Sequence, residues 1–286
     1  MMGDKMGKLV FLDIDGTLCN ESGRVPESAK EAIQQAYEQG NQFYLCTGRS
    51  KAEIPDDVLA LPISGIIGAG GGYCEVEEEV ILHRVFDAAE LNKLIQFLEA
   101  HQVEYYLESN QGLFASANLR KLLIQLTLGE TAEDSPEGQA KIQSVKWFLD
   151  LLIEDPSKID YEDVNKVSFV NQSIPYEVIH EEYDGDFQML RSTVSAFGPD
   201  SGEIGLKNIN KRTAIETLLQ HIQRKKAECI AFGDGVNDID MFEAVALGIA
   251  MGNAKEELKA VADEVTLSHD EGGIAFMLEK LDLINA

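Results

Sequence analysis

Lys8 to Asn20 reads KLVFLDIDGTLCN, an apolar run with the composition of a buried strand that ends in two carboxylates one residue apart, Asp13 and Asp15. In an open parallel sheet, ligands bind just beyond the carboxyl ends of the strands, so acidic side chains delivered there face a crevice rather than the core. Two carboxylates held close together raise one another's proton affinity, whereas a divalent cation lets both stay ionised. The pair therefore points to a magnesium site. The competing reading is an acidic turn, since Asp-Gly closes many hairpins. Three stretches downstream weigh against it.

Working outward, Pro26 and Ser28 open a segment in which Ala29, Ala32, Ile33, Ala36 and Tyr37 recur at helical spacing until Gly40. Gln42 to Cys46 reads as a second strand ending in Thr47-Gly48-Arg49, and Ile63 to Gly68 as a third ending in a glycine cluster. Alternating strand and helix predicts a parallel, doubly wound α/β sheet. From about Val80 the texture changes. A strand VILHRVF precedes a helix carrying Leu91, Leu94, Ile95 and Leu98, then the short strands VEYYLE and GLFAS. Helices over Asn118 to Leu128 and Gln139 to Ile153 flank the loop GETAEDSPEG, and Lys166 to Val170, Phe187 to Leu190 and Thr193 to Phe197 complete the expected strands. This grouping is typical of an α+β module. Beyond Glu203 the alternation returns, with a helix from Lys211, the strand CIAFGD, a helix, LGIAM and a last helix over Gly273 to Leu281. The expected organisation is a discontinuous core, residues 1–82 and 193–286, interrupted by an inserted domain over 83–192.

With 286 residues and a hydrophobic fraction of 44%, the chain is long enough to bury a substantial core. Its 50 acidic and 24 basic side chains leave a net charge of -26, which repels nucleic acid and anionic membranes. The same field repels an anionic substrate, so a phosphate site needs local cations: magnesium, lysine or arginine. Cys19, Cys46, Cys74 and Cys229 form no CxxC pair and read as reduced thiols of a cytoplasmic protein. Nothing near the N-terminus has the length of a signal peptide, MMGDKMG reads as a short disordered start, and no apolar run is long enough to span a bilayer.

The chemistry-bearing stretches follow the strands. At Thr47-Gly48-Arg49, a hydroxyl and backbone N–H groups can hold phosphate oxygens, although an ordinary turn has the same composition. In GLKNINKRTAIETLL, Lys211 opens a helix, where an ammonium opposes the macrodipole unless an anion lies nearby. Lys207 and Arg212 are equally basic, and residue chemistry alone does not choose among the three. In Gly233-Asp234-Gly235-Val236-Asn237-Asp238 a strand again ends in acids, and Asp234 and Asp238 add the hard oxygen ligands that magnesium prefers. A glycine-rich turn in which Asp238 or Asn237 bonds backbone is the alternative, and both readings are compatible. The run from Gly68 to Tyr73 imitates a dinucleotide fingerprint but lacks its third glycine and leads into a strand. Neither acidic loop continues as a calcium-binding loop, since Leu18 and Ile239 occupy the glycine position. The histidines show no ligand spacing, and Trp147 reads as packing.

FLDIDGTL, Thr47-Gly48-Arg49, Lys211 and GDGVND, in that order and with an insert between the second and third, resemble the four motifs of the haloacid dehalogenase superfamily. LGIAMGNAKEELKAVADEVT and DEGGIAFML narrow the resemblance to its Cof-type branch, whose inserted cap is of the second α/β type. The likeness covers essentially the whole chain, and it singles out Lys211 over Lys207. Two positions depart from the branch: Gly70-Gly71-Gly72 stands where asparagine-glycine-alanine is usual, which is expected to loosen the hinge into the cap, and Arg212 follows the motif lysine in place of glycine.

The resemblance implies a phosphatase of small phosphorylated metabolites, a monomer or weak homodimer, working through an aspartyl phosphate. It implies Asp13 as nucleophile and Asp15 as the acid and then the base. Asp13, the Asp15 carbonyl and Asp234 would hold Mg2+, with Asp238 ligating directly or through water. Thr47, the amides of Ile14 and Gly48, Lys211 and Asn237 would surround the phosphate. An acid at position 15 separates phosphatases and phosphomutases from ion pumps. A phosphomutase, or a non-catalytic regulator binding a phosphometabolite, is the alternative. The complete set Asp13, Asp15, Lys211 and Asp234 argues against the regulator, because binding alone requires no nucleophile with an acid beside it.

Overall fold

Buried strands alternating with one-faced helices set the order of elements in the computed structural model, which describes residues 7–20, 23–192 and 194–284. The expected disordered start falls outside them except for Gly7. β1 (Leu9–Leu12) is buried along its length and leads to α1 (Glu27–Glu38), whose Ala29, Ala32, Ile33 and Ala36 face the core. β2 (Gln42–Cys46), the short α2 (Asp56–Leu59), β3 (Ile63–Gly68) and the hairpin of β4 (Tyr73–Val76) and β5 (Glu79–His83) complete the first segment. The middle of the chain runs α3 (Ala88–Ala100), β6 (Glu104–Ser109), β7 (Leu113–Ala115), α4 (Leu119–Leu128) and α5 (Pro136–Leu151). It continues with β8 (Leu152–Ile153), β9 (Val164–Val170), α6 (Tyr176–Tyr183), β10 (Phe187–Arg191) and β11 (Gly202–Leu206). The last segment is α7 (Lys211–His221), β12 (Cys229–Gly233), α8 (Ile239–Ala244), β13 (Leu247–Ala250), α9 (Glu256–Lys259), β14 (Glu264–Val265) and α10 (Gly273–Lys280).

Among the described residues, the outer segments build one sheet in the order β14-β13-β12-β1-β2-β3-β4-β5. Its pairings are parallel from β14 to β3 and antiparallel at the β4–β5 hairpin. β1 lies in the middle, and Phe11, Tyr44 and Phe232 are fully buried at its level. This is the expected parallel α/β core, and its central strands β1 and β12 are buried along their length, as in a sheet covered on both faces. β5 closes the edge of this sheet.

The inserted segment forms a second sheet in the order β10-β11-β9-β6-β7-β8, antiparallel apart from the β7–β8 pairing. Successive residues of β6 serve opposite faces: Leu107 packs with Leu91, Leu94 and Leu98 of α3, while Tyr106 packs with Leu119 and Leu123 of α4 and Leu149 of α5.

The chain divides into two compact units, one of Met1–Arg49, Ile54–His83 and Ile209–Ala286 and the other of Ser50–Glu53 and Arg84–Asn208. The return to the core thus falls at 209 rather than at 193. The reason is β11, which pairs with both β10 and β9 and so belongs to the inserted sheet. The strand expected over Thr193 to Phe197 is replaced by a 3-10 turn at Ser195–Phe197, and Thr193 lies outside the described residues. α5 starts at Pro136 rather than Gln139, because Ser135 accepts a hydrogen bond from Gly138 N and proline suits the first helical turn. It stops at Leu151, and Leu152–Ile153 pairs with β7.

Candidate active site

Leu12 pairs with Leu45 on one side and Phe232 on the other, so β1, β2 and β12 end together. Asp13, Thr47 and Asp234 leave the sheet from these three ends. Asp13 N donates to Phe232 O at 3.1 Å, which prolongs the ladder by one bond and fixes the start of the following loop. That loop folds back on itself through Leu18 N to Asp13 O at 3.2 Å and Cys19 N to Ile14 O at 2.7 Å. It is no hairpin, since both neighbours of β1 are parallel. Gly16, at φ +77°, passes so close to Asp234 that a Cβ would stand 2.4 Å from its Oδ2. Thr17 Oγ1 then donates to Asp234 Oδ1 at 3.1 Å, tying the first acidic stretch to the last.

Lys211 lies at the first turn of α7, whose N-cap Asn210 accepts from Thr213 N at 2.9 Å. The ammonium is buried and donates to Asp13 Oδ1 at 2.7 Å and Asp238 Oδ1 at 2.6 Å. These anions answer the anomaly of a cation at a helix start. Its two basic neighbours turn elsewhere: Lys207 Nζ donates to Gly185 O at 3.0 Å, and Arg212 pairs with Glu216 and Glu243. The start of α7 also presses on the glycine cluster. A Cβ on Gly71, at φ +110°, would lie 2.2 Å from Asn210 O.

Asp238 uses both oxygens. Oδ1 takes the Lys211 ammonium, and Oδ2 accepts from Asp234 N and Gly235 N, each at 3.0 Å. The backbone-bonding alternative for this residue therefore holds, in the 3-10 turn Val236–Asp238 rather than as a cap of α8. Asp13, Asp234 and Asp238 each offer a carboxylate oxygen, and the three lie within 4.8 Å of one another. Burial pushes the Asp13 carboxyl up to about 8; Lys211 pulls it down, and Asp238 and Asp234 push it up. Asp234 is raised to about 6 by burial and by Asp238, against Thr17 and Lys211. Burial works against the Lys211 charge, yet Asp13 and Asp238 hold its proton above the ordinary value. Three acids against one cation in a buried cluster fit a further divalent cation, which would restore Asp13 to its ionised form.

The other residues of interest stand around this cluster. Thr47 is buried at the tip of β2, where Gly70 N donates to its carbonyl at 3.0 Å and Arg49 N to its Oγ1 at 3.1 Å. The Ile14 side chain is fully buried, which leaves its backbone for the site, and a Cβ on Gly48 would meet open space. Asn237 is exposed on the turn after β12. Asp15 is also exposed, and both of its oxygens accept from Arg49, from Nε at 2.7 Å and Nη2 at 2.6 Å. Sequence reasoning missed Arg49 as a partner of Asp15, Thr17 as a partner of Asp234, and Asn253, whose Nδ2 donates to Gly16 O at 2.7 Å. Arg49 and Thr17 sit inside the quoted motifs and Asn253 inside LGIAMGNAKEELK, so proximity to a motif was the available signal.

The family described as haloacid dehalogenase-like hydrolase matches residues 10–278. The phosphatase YwpJ of Bacillus subtilis is 27% identical over 289 residues, covering 96% of this chain and 99% of that protein. A hypothetical protein from Geobacillus kaustophilus superposes with a TM-score of 0.80 at 26% identity, covering 97% of this chain and 100% of the other. The HAD subclass IIB sugar phosphatase BT4131 gives a TM-score of 0.69 at 27% identity, again over 97% of this chain and 100% of the other. Family match, sheet order and inserted second sheet agree, and on them the chain belongs to the haloacid dehalogenase-like hydrolases, in the Cof-type branch.

Proposed function

We propose that this hydrolase is a magnesium-dependent phosphatase that cleaves phosphomonoesters of small metabolites, sugar phosphates or phosphorylated cofactors, through an aspartyl phosphate on Asp13. The observation that carries the reading is the buried Lys211 ammonium 2.7 Å from Asp13 Oδ1, beside two further carboxylates, Asp234 and Asp238, from the loop that follows the adjacent strand β12. The sugar phosphatase BT4131, alike over its full length, favours a sugar phosphate among the candidate esters.

Asp13 attacks phosphorus in line while Asp15 gives a proton to the departing alcohol oxygen. The Asp15 carboxylate then takes a proton from the water that attacks the phosphoryl group, which leaves Asp13 free and releases phosphate. Thr47 Oγ1, the amides of Ile14 and Gly48, Lys211 and Asn237 surround the phosphate oxygens, and most of the rate comes from such positioning and charge neutralisation. Asp13, the Asp15 carbonyl and Asp234 would hold Mg2+, with Asp238 direct or through water, and the ion would supply charge neutralisation of the phosphate and keep Asp13 ionised.

No helix among the described residues is long and apolar enough to cross a membrane, and all four cysteines are buried free thiols. The free thiols support a cytoplasmic location, and a monomer or weak homodimer is the proposed working form. The test is phosphate release from a panel of phosphorylated metabolites with Mg2+. Turnover abolished by EDTA and by Asp13→Asn is expected; turnover unchanged in that variant overturns the nucleophile assignment.

A further inference from the structure

Asp15 is given the hardest positioning task in the proposed reaction, yet its carboxylate is 58% exposed. A half-exposed aspartate samples several rotamers, and a proton donor must stand within hydrogen-bond reach of the ester oxygen. Among the described residues, the side chain that bonds this carboxylate is Arg49, through the parallel fork of Nε to Oδ2 at 2.7 Å and Nη2 to Oδ1 at 2.6 Å. A fork of this kind fixes orientation as well as distance.

Arg49 is itself anchored. Its N donates to Thr47 Oγ1 at 3.1 Å, its O accepts from Ala69 N at 2.7 Å, and the neighbouring Thr47 O accepts from Gly70 N at 3.0 Å. Its side chain is 17% exposed. The second motif is thereby braced against the glycine cluster, and the guanidinium extends from that brace to the first motif.

We infer that Arg49 is a positioning residue for Asp15, aiming its carboxylate at the leaving-group oxygen. The inference rests on the acid role given to Asp15 above. It carries a consequence for the two half-reactions. The fork takes one lone pair of each Asp15 oxygen and leaves each a second, so the carboxyl group can carry a proton while Arg49 holds it. In the first half-reaction that proton passes to the leaving oxygen as the P–O bond breaks and the bond from Asp13 to phosphorus forms. The resulting carboxylate keeps both bonds and is oriented for the water of the second half-reaction.

Leaving groups separate this role from a merely structural one. p-Nitrophenolate departs without a proton, whereas an alkoxide needs one. Steady-state rates on p-nitrophenyl phosphate and on glycerol phosphate are compared for the wild type, Arg49→Ala, Arg49→Lys and Asp15→Asn. The alkyl-to-aryl ratio of kcat is expected to fall about 10-fold or more in Arg49→Ala, a modest share of the 10²–10⁴ that general acids supply. Arg49→Lys, which keeps charge and volume but not the fork, should fall between the two and serves where the alanine variant does not fold. A ratio unchanged in both variants, whatever the absolute rates, overturns the inference. A ratio unchanged in Asp15→Asn overturns the acid role itself, so the two failures are distinguishable.

Discussion

Lys211 Nζ lies 2.7 Å from Asp13 Oδ1, and this buried ion pair joins residues 198 positions apart in the chain. Its second bond, to Asp238, makes the lysine the common counter-charge of the first and last acidic stretches. Removing it strands two buried carboxylates. Lys211→Ala should cost about 3–5 kcal/mol of stability, the usual penalty for breaking a buried pair. Adding Asp238→Asn should cost less than the sum of the singles, because the stranded charge is removed with its partner. Urea denaturation of the three variants measures this; a loss below about 1 kcal/mol in the lysine variant contradicts the pairing.

The cluster also sets a pH dependence. Burial raises Asp13 to about 8 and Asp234 to about 6, against an ordinary 3.8, so the folded chain keeps protons that the unfolded chain releases. Stability from these groups is full below the unfolded value and is lost as pH rises through 6 and then 8. A divalent cation competes with the same protons. Its stabilising effect should therefore grow between pH 5 and pH 8, read as the difference in unfolding temperature with Mg2+ and with EDTA. Asp13→Asn should flatten that growth. A magnesium effect equal at both ends of the range contradicts a site built on these carboxylates.

The glycine cluster yields a third outcome. Gly71 faces Asn210 O across a gap with no room for a Cβ, and its φ of +110° suits glycine alone. Gly71→Ala should lose about 2–4 kcal/mol from backbone strain and overpacking, and should also displace the start of α7 that carries Lys211. Gly70 and Gly72 differ from it. Gly70, at φ +63°, has open space around a Cβ and a conformation asparagine tolerates; Gly72, at φ -74°, would make ordinary contact. Gly70→Asn with Gly72→Ala, the pattern usual in the Cof-type branch, should stabilise by about 0.4–1 kcal/mol per site through the unfolded chain. Thermal unfolding of the single and double variants decides it.

How far the sequence was legible follows from what each feature depends on. β1, β2 and β12 are short apolar runs bounded by glycine or acid, and such local patterns survive into the fold because the sheet is buried on both faces. β11 was missed because GEIGL has two glycines in five residues and little alternation, and that omission moved the expected core boundary by sixteen positions, from 193 to 209. The start of α5 hid inside a proline-containing loop whose proline is in fact its first residue. At the site, the carboxylates were recognisable from type and spacing, whereas Lys211 was set apart from Lys207 and Arg212 by the family resemblance alone. The Arg49–Asp15 fork and the Asn253 bond to Gly16 join residues 34 and 237 positions apart, and no local pattern reports a contact of that kind.

The central claim is that the Asp13 carboxylate carries the phosphoryl group during turnover. Rapid acid quench of the enzyme with Mg2+ and a phosphorylated substrate, followed by borohydride reduction and peptide mass spectrometry, tests it directly. Reduction converts an aspartyl phosphate to homoserine, and homoserine at position 13, formed only with substrate, is the predicted result. Steady phosphate release with no modification at position 13, or with the reduced residue at another aspartate, would contradict it.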